Sequence, residues 1–132
     1  MRVVLDTNVV MSALFFGGVP RRVVEAVCNG ELNAYVTQPI MDEYERIISE
    51  MMEKKHYYVR SETLAPIMEN FQKIHSNTNV HVCRDPDDDK FLSCAMDCKA
   101  VYVVSGDKDL LSIGEYEGIE IVTAKELLER IR

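Results

Sequence analysis

The chain opens with a short apolar run that ends abruptly in polar residues. Val3-Val4-Leu5 is followed by Asp6-Thr7-Asn8, after which an apolar, helix-like pattern resumes. Such a run is typical of a buried strand of a parallel sheet that passes directly into a helix. A second run, Ala100–Val104, ends in the same way, in Ser105-Gly106-Asp107. Because ligands bind at the carboxyl ends of the strands in open α/β sheets, both acids are expected at one functional edge.

The rest of the chain alternates short apolar runs with longer amphipathic ones. Strands are predicted at Arg2–Leu5, Asn33–Val36, Asn79–Val82, Ala100–Val104 and Glu120–Val122. Helices are predicted at Asn8–Phe16, from Pro20 to Asn29, after Thr37, from Ser61 to near His75, from Asp89 to Asp97 and at Ala124–Ile131. This alternation predicts an α/β fold with a single domain over residues 1–132, in which helices cover both faces of a parallel sheet of about five strands.

Composition narrows the range of functions. The 132 residues, of which 47% are hydrophobic, are expected to form one core. No apolar run approaches the roughly 20 residues that span a bilayer, and no signal peptide is visible, which favours a cytoplasmic protein without a membrane partner. The four cysteines include no C-x-x-C pair and are expected to act as small apolar residues. The net charge of −7 disfavours non-specific nucleic-acid binding, so such a role would need local cations or metal ions.

Acidic residues concentrate near the predicted carboxyl edge of the sheet. Besides Asp6 and Asp107, they are Glu43, Asp85, Asp87, Asp88 and Asp89. Carboxylates that lie together repel one another, so at neutral pH they either take up protons or hold a cation. Mg²⁺ and Mn²⁺ prefer oxygen ligands and can stabilise a phosphoryl group in transfer. The pattern therefore favours metal-assisted phosphodiester hydrolysis, and the alternative for acids at helix starts is simple capping.

Taken together, these motifs resemble the PIN domain, the metal-dependent ribonuclease fold of many prokaryotic toxin–antitoxin toxins. The resemblance covers essentially the whole chain and rests on four segments in order: Leu5–Val9, Pro39–Glu43, Arg84–Leu92 and Val104–Leu110. It implies a three-layer α/β/α sandwich with the sheet order 3-2-1-4-5. It also implies an endoribonuclease that requires Mg²⁺ or Mn²⁺, cleaves single-stranded RNA, has an antitoxin as partner and forms a homodimer.

The resemblance also assigns roles to individual residues. The catalytic and metal-binding acids that it implies are Asp6, Glu43, Asp89 and Asp107. Asp89 is preferred to its neighbours because the family's third acid opens a helix of the form Asp-x-x-Leu-x-x-Ala, and Asp88 is the alternative. The supporting polar residues that it implies are Asn8, Thr7, Ser105 and, with a less defined role, Asp109.

Two other functions fit part of the pattern. A haloacid-dehalogenase-like phosphatase also has an Asp after its first strand and a late Gly-Asp turn, here Gly106-Asp107. Its second acid, which donates a proton, is replaced here by Asn8, which lacks that ability. The non-enzymatic alternative is an inactive PIN-like module that only binds RNA or protein, and the intact set of acids argues against it.

Two segments are candidates for contacts with partners. Residues Lys54–Arg60 mix cations with aromatic residues, as single-strand binding surfaces do, but cations at a helix end and tyrosines covering the core are the preferred explanation. The Phe15-Phe16 pair and the amphipathic helix around Tyr44–Met52 are candidates for a dimer interface, with the protein core as the alternative location.

Overall fold

The computed structural model describes residues 1–58 and 61–131. The strands are β1 (Arg2–Leu5), β2 (Asn33–Val36), β3 (Gln72–Lys73), β4 (Tyr102–Val104), β5 (Glu115–Tyr116) and β6 (Ile119–Val122). The helices are α1 (Thr7–Phe15), α2 (Gly18–Cys28), α3 (Gln38–Lys54), α4 (Ser61–Asn70), α5 (Asp89–Cys98), α6 (Lys108–Ile113) and α7 (Ala124–Arg130). A short 3-10 helix, Pro86–Asp88, precedes α5.

These strands form one sheet in the order β3-β2-β1-β4-β6-β5. The pairs are parallel except for β5 with β6, which are antiparallel. Strand β1 lies between β2 and β4, where Val3 pairs with both Ala34 and Tyr102. The predicted α/β class and the adjacency of the first and fourth strands are therefore confirmed. Strand β6 corresponds to the fifth strand that was predicted at Glu120–Val122.

The edge strand β5 and helix α6 are additions that the sequence pattern did not predict. Strand β5 joins β6 through Glu117 and Gly118, which have φ angles of 50° and 82°. Positive φ at both central residues is typical of the two-residue turn that suits a twisted hairpin. The added strand lies at the far edge of the sheet from β2 and leaves the order of the other strands unchanged.

Helices flank the sheet. Helix α5 packs against β1, β2 and β4, whereas α1, α2, α4 and α7 form a group that is linked by mutual contacts. The β1 residues Val3, Val4 and Leu5 are fully buried, which places the end of this strand in the core. A capping box starts α7, since Thr123 and Glu126 exchange hydrogen bonds. Over the described residues, none of the helices combines the length and the apolar character that crossing a lipid bilayer requires.

The predicted position of the third strand was wrong. Residues 79–82 form no strand, and the strand next to β2 is β3, which begins soon after α4 ends at Asn70 rather than near His75. The chain leaves the helix because residues 72–74 pair with the open edge of β2, where the amide of Ile74 donates to the carbonyl of Val36 at 2.8 Å.

Residues 76–83 are instead fixed by side chains of α5. Asp97, Ser93 and Asp89 are spaced four residues apart, which places them on one face of this helix. Asp97 accepts hydrogen bonds from the hydroxyls of Ser76 and Thr78 and from the amides of Asn77 and Thr78. The bonds from the two hydroxyls do most to hold the pKa of Asp97 below its usual range. Ser93 accepts from the amide of Val80, and Asp89 accepts from those of Val82 and Cys83. We call Asp89, Ser93 and Asp97 the polar ladder. It satisfies amides that a neighbouring strand would otherwise bind.

Candidate active site

An acidic cleft of about 300 Å³ lies at the carboxyl edge of the sheet. Its carboxylates are Asp6, Glu43, Asp85, Asp87, Asp88 and Asp107. They come from four separate parts of the chain, and the adjacency of β1 and β4 brings the ends of those two strands together. Three of the four acids that the resemblance implied, Asp6, Glu43 and Asp107, therefore line the same cleft. The predicted helpers Thr7 and Asn8 line it as well.

Asp6 lies at the centre of a hydrogen-bond network. Its side chain is buried, and its Oδ1 accepts from the amide of Asn8 at 2.6 Å, which also caps α1. Its Oδ2 accepts from the hydroxyl of Ser105 at 2.5 Å, and the Ser105 Oγ accepts from the amide of Asp107 at 3.0 Å. Ser105 thus connects the ends of β1 and β4. Burial raises the pKa of Asp6, and the charges of Asp107 and Glu43 add to this effect, while the bonds from Ser105 and Asn8 oppose it.

Glu43 is held by one neutral and one charged donor. The hydroxyl of Thr7 donates to its Oε2, and the ammonium of Lys90 lies 2.7 Å from its Oε1. The same ammonium lies 2.9 Å from Oδ2 of Asp87. Burial lowers the pKa of Lys90, but its hydrogen bonds to Glu43 and Asp87 outweigh this effect and raise it overall. Lys90 therefore remains a cation between two acids of the cleft.

The structure separates the neighbouring acids Asp88 and Asp89. The Asp89 side chain is 8% exposed and belongs to the polar ladder, and it lines a different cavity. Burial would raise the pKa of Asp89, but the bonds from Cys83 and Val82 outweigh it and lower the pKa. Asp88 lines the cleft, and among the described residues it has no hydrogen bond or ion pair through its carboxylate. The geometry therefore favours Asp88 over Asp89, the acid that the helix motif indicated.

Asp109 and Arg84 lie outside the cleft. Their side chains are exposed and form an ion pair at 3.8 Å. Such a pair at the surface contributes little to stability. Asp109 thus has a cation partner and is not brought together with Asp6 and Asp107 in the lining of the cleft.

The buried side chain of Tyr44 links two segments that carry acids of the cleft. Its place on the apolar face of α3 did not reveal this role. Its side chain is 2% exposed, and its hydroxyl donates to the carbonyl of Leu5 at 2.5 Å. Leu5 immediately precedes Asp6, and Tyr44 immediately follows Glu43. This hydrogen bond therefore fixes the distance between the backbone segments that carry two of the acids.

Replacing Tyr44 with phenylalanine is expected to lower the free energy of unfolding by about 1–2 kcal/mol, because the buried Leu5 carbonyl loses a donor. Urea unfolding followed by circular dichroism would measure this change. Tyr58→Phe is the matched control, since the Tyr58 side chain is 88% exposed. Equal destabilisation of both variants, or of neither, would contradict the proposed role of the Tyr44 hydroxyl.

The donor set of the cleft suits a hard divalent cation. The charged side chains that line it all offer carboxylate oxygens, which Mg²⁺ and Mn²⁺ prefer. Within residues 1–58 and 61–131, no group of three or more His, Cys, Asp or Glu side chains is already arranged to hold a metal ion. The ammonium of Lys90 between Glu43 and Asp87 provides cationic charge at one side of this cluster.

The sequence profile of the PIN domain matches residues 2–109, which include every acid of the cleft. The chain belongs to the PIN domain family. It is 31% identical to an uncharacterized protein of Methanocaldococcus jannaschii, MJ1680, in an alignment that covers 98% of this chain and 90% of that protein. In structure it is similar to VapBC2 from Rickettsia felis, which was solved bound to a DNA fragment from the promoter. That match has a TM-score of 0.62 and 12% identity, and it covers 92% of this chain and 97% of the other.

As a PIN domain, the chain is placed in a family whose members are generally nucleases. This assignment separates it from the haloacid-dehalogenase-like phosphatases, which share only the first acid and the late Gly-Asp turn. The PIN domain match also explains why acids from distant segments meet at one edge, since the fold itself places β1 beside β4.

The acids of this PIN domain are expected to make its metal-free stability depend on pH. Burial and the charges of Asp85, Asp107, Asp6 and Glu43 raise the pKa of Asp88 to about 6. A raised folded-state pKa means that the folded protein binds more protons at this site, so the contribution of Asp88 to stability is greatest below about pH 4 and is lost as pH rises towards 6. We expect a loss of about 1 kcal/mol between about pH 4 and pH 6, after allowance for solvent screening of this half-buried group.

Thermal unfolding in a chelator at a series of pH values would test this dependence. The Asp88→Asn variant is the matched control and should lose much of the slope, because asparagine does not titrate. A difference in stability between the wild-type and Asp88→Asn proteins that stays constant over this range would contradict the mutual repulsion that we infer in the cleft.

Proposed function

We propose that this protein is an endoribonuclease that requires Mg²⁺ or Mn²⁺ and cleaves single-stranded RNA. The observation that carries the proposal is the acidic cleft of a PIN domain, in which six carboxylates lie at the carboxyl edge of the sheet. A phosphodiester is an anion, so acids at its binding site favour hydrolysis only when a bound cation offsets their charge. The acidic cleft and the family membership therefore support the same chemistry.

Asp6, Glu43, Asp88 and Asp107 would hold the metal in this proposal. A divalent cation bound there would supply positive charge to the phosphoryl group and lower the pKa of a water. The chain's own residues orient the ligands. Ser105 and the amide of Asn8 fix both oxygens of Asp6, and Thr7 fixes Glu43. Asp88 replaces Asp89 in this set because Asp89 is engaged in the polar ladder.

The proposed partners are an antitoxin protein and a second copy of the chain. The likeness in fold to VapBC2 supports the toxin–antitoxin assignment. Of the candidate interface residues, Tyr44 lies in the core, whereas Phe16 is 60% exposed and contacts the ring of Tyr57 with 5.2 Å between centroids. Exposed aromatic residues of this kind are frequent at protein interfaces. Sedimentation velocity of the protein and its Phe16→Ser variant would test dimer formation.

The proposed activity can be tested with a purified single-stranded oligoribonucleotide. We expect cleavage in Mg²⁺ or Mn²⁺ and none in excess chelator, with activity restored when the metal is returned. A DNA oligonucleotide of the same sequence and a small phosphomonoester are the matched substrates. Cleavage that persists in chelator, or turnover of the phosphomonoester alone, would contradict the proposal. A protein that binds RNA but never cleaves it would support the inactive-module alternative instead.

A further inference from the structure

A larger cavity, of about 800 Å³, adjoins the acidic cleft and has no role in the proposed cleavage reaction. We propose that it binds a nucleotide of the RNA strand next to the phosphodiester that is cleaved. This inference rests on the proposed ribonuclease function and adds a substrate subsite to it. A cavity of this size is within the range that holds small organic ligands.

The position of the cavity suits a strand that runs through the cleft. Lys90 lines the cavity, and its ammonium contacts Glu43 and Asp87, which line the cleft. Pro86, which lies between two acids of the cleft in sequence, lines the cavity as well. The two depressions therefore share a border at Lys90. An RNA chain with one phosphate in the cleft would have its neighbouring nucleotide at or beyond this border.

The chemistry of the wall suits a nucleotide. Cationic or hydrogen-bonding groups come from Lys73, His75, Asn79 and His81, all of which are exposed. Apolar surface for a base or a sugar comes from Pro39, Ile74 and Pro86. Among the described residues, neither Lys73 nor His75 forms an ion pair with a carboxylate. Because the chain has a net charge of −7, a lysine such as Lys73 that forms no ion pair among the described residues is a candidate contact for an RNA phosphate.

The polar ladder makes this wall rigid before RNA binds. Ser93 fixes the amide of Val80, and Asp89 fixes that of Val82. Val80 is buried, whereas its neighbours Asn79 and His81 are exposed and line the cavity. The Asp89 carboxylate also lines the cavity, where hydrogen bonds from Val82 and Cys83, together with the nearby His81, stabilise its negative charge. A fixed wall lowers the entropy cost of binding.

The test is RNA binding measured without cleavage. Fluorescence anisotropy of a labelled single-stranded oligoribonucleotide in Mg²⁺, with the Asp6→Asn variant as background, would give affinities over a range of salt concentrations. Adding Lys73→Gln and His81→Gln should weaken binding by about tenfold and reduce the slope of log affinity against log salt by roughly 0.7 for each phosphate contact that is lost. Lys99→Gln is the matched control, since this exposed lysine follows α5 and precedes β4, on the side of the amino ends of the strands and away from the cleft.

The outcomes separate the two proposals. Affinity and salt slope that stay unchanged in the Lys73/His81 variant, while Asp6→Asn has abolished cleavage, would overturn the subsite alone. Equal weakening by Lys99→Gln would also overturn it, because the effect would then be one of overall charge. Cleavage that survives Asp6→Asn would instead overturn the proposed function, and a background protein that binds no RNA would overturn the subsite.

Discussion

Asp6→Asn is expected to abolish RNA cleavage, with a loss of more than about 100-fold, while the protein stays folded. Residues that merely support a metal ligand typically cost 10–100-fold when changed, so loss of a ligand should cost more. Asparagine keeps the shape of the side chain, and its one carbonyl oxygen can still cap α1. Its amide nitrogen would then face Ser105 and donate to that hydroxyl instead of accepting from it. The substitution therefore removes the negative charge with little change in packing.

The same variant should be at least as stable as the wild-type protein in the absence of metal. Burial raises the pKa of Asp6, so the ionised carboxylate destabilises the folded state at neutral pH. Thermal unfolding in chelator would measure this, beside a cleavage assay in Mg²⁺. Asp42→Asn is the matched control, because this exposed neighbour of Glu43 bonds only to Gln38 among the described residues. Full cleavage by a folded Asp6→Asn protein would contradict the assignment.

The paired variants Asp88→Ala and Asp89→Ala are expected to have opposite effects. Asp88→Ala should lower cleavage by more than about 100-fold, because it removes a proposed metal ligand. It should leave the stability unchanged or higher, because the other acids of the cleft repel the Asp88 carboxylate. Asp89→Ala should destabilise the protein by about 2 kcal/mol, because the amides of Val82 and Cys83 lose their acceptor. At a temperature where it remains folded, it should keep most of its activity.

Cleavage rates at low temperature and urea unfolding of the two variants would measure these effects. The two substitutions are chemically identical and one residue apart, so each protein is the control for the other. An active Asp88→Ala protein beside an inactive but stable Asp89→Ala protein would restore the assignment that the sequence motif favoured.

The positions of some acids in the cleft could be predicted from the sequence and those of others could not, for physical reasons. Asp6 and Asp107 could be placed because each follows a buried strand, and the carboxyl ends of parallel strands meet at one edge. The choice between Asp88 and Asp89 could not be made in this way. Successive side chains at a helix start differ in direction by about 100°, so a shift of one residue moves a carboxylate from the cleft to the polar ladder. Only the contacts with Val82 and Cys83 decide the direction.

The error in the third strand has a similar origin. The segment 79–82 has the composition of a strand, but its amides are bound by side chains of α5 rather than by another strand. The sequence did contain a signal, since Asp89, Ser93 and Asp97 place polar groups on one face of a helix that is otherwise largely buried. A polar stripe of this kind, next to a segment without a clear strand partner, indicates tertiary hydrogen bonds.

Isothermal titration calorimetry of Mn²⁺ into the metal-free protein tests most directly whether the acids of the cleft act together as a metal site. The protein, Asp6→Asn, Asp88→Asn and the control Asp42→Asn would be titrated side by side. We expect saturable binding to the wild-type and Asp42→Asn proteins, and a large loss of affinity in the other two. Undiminished binding to folded Asp6→Asn and Asp88→Asn proteins, or no binding to the wild-type protein, would contradict the proposal that these acids form one metal site.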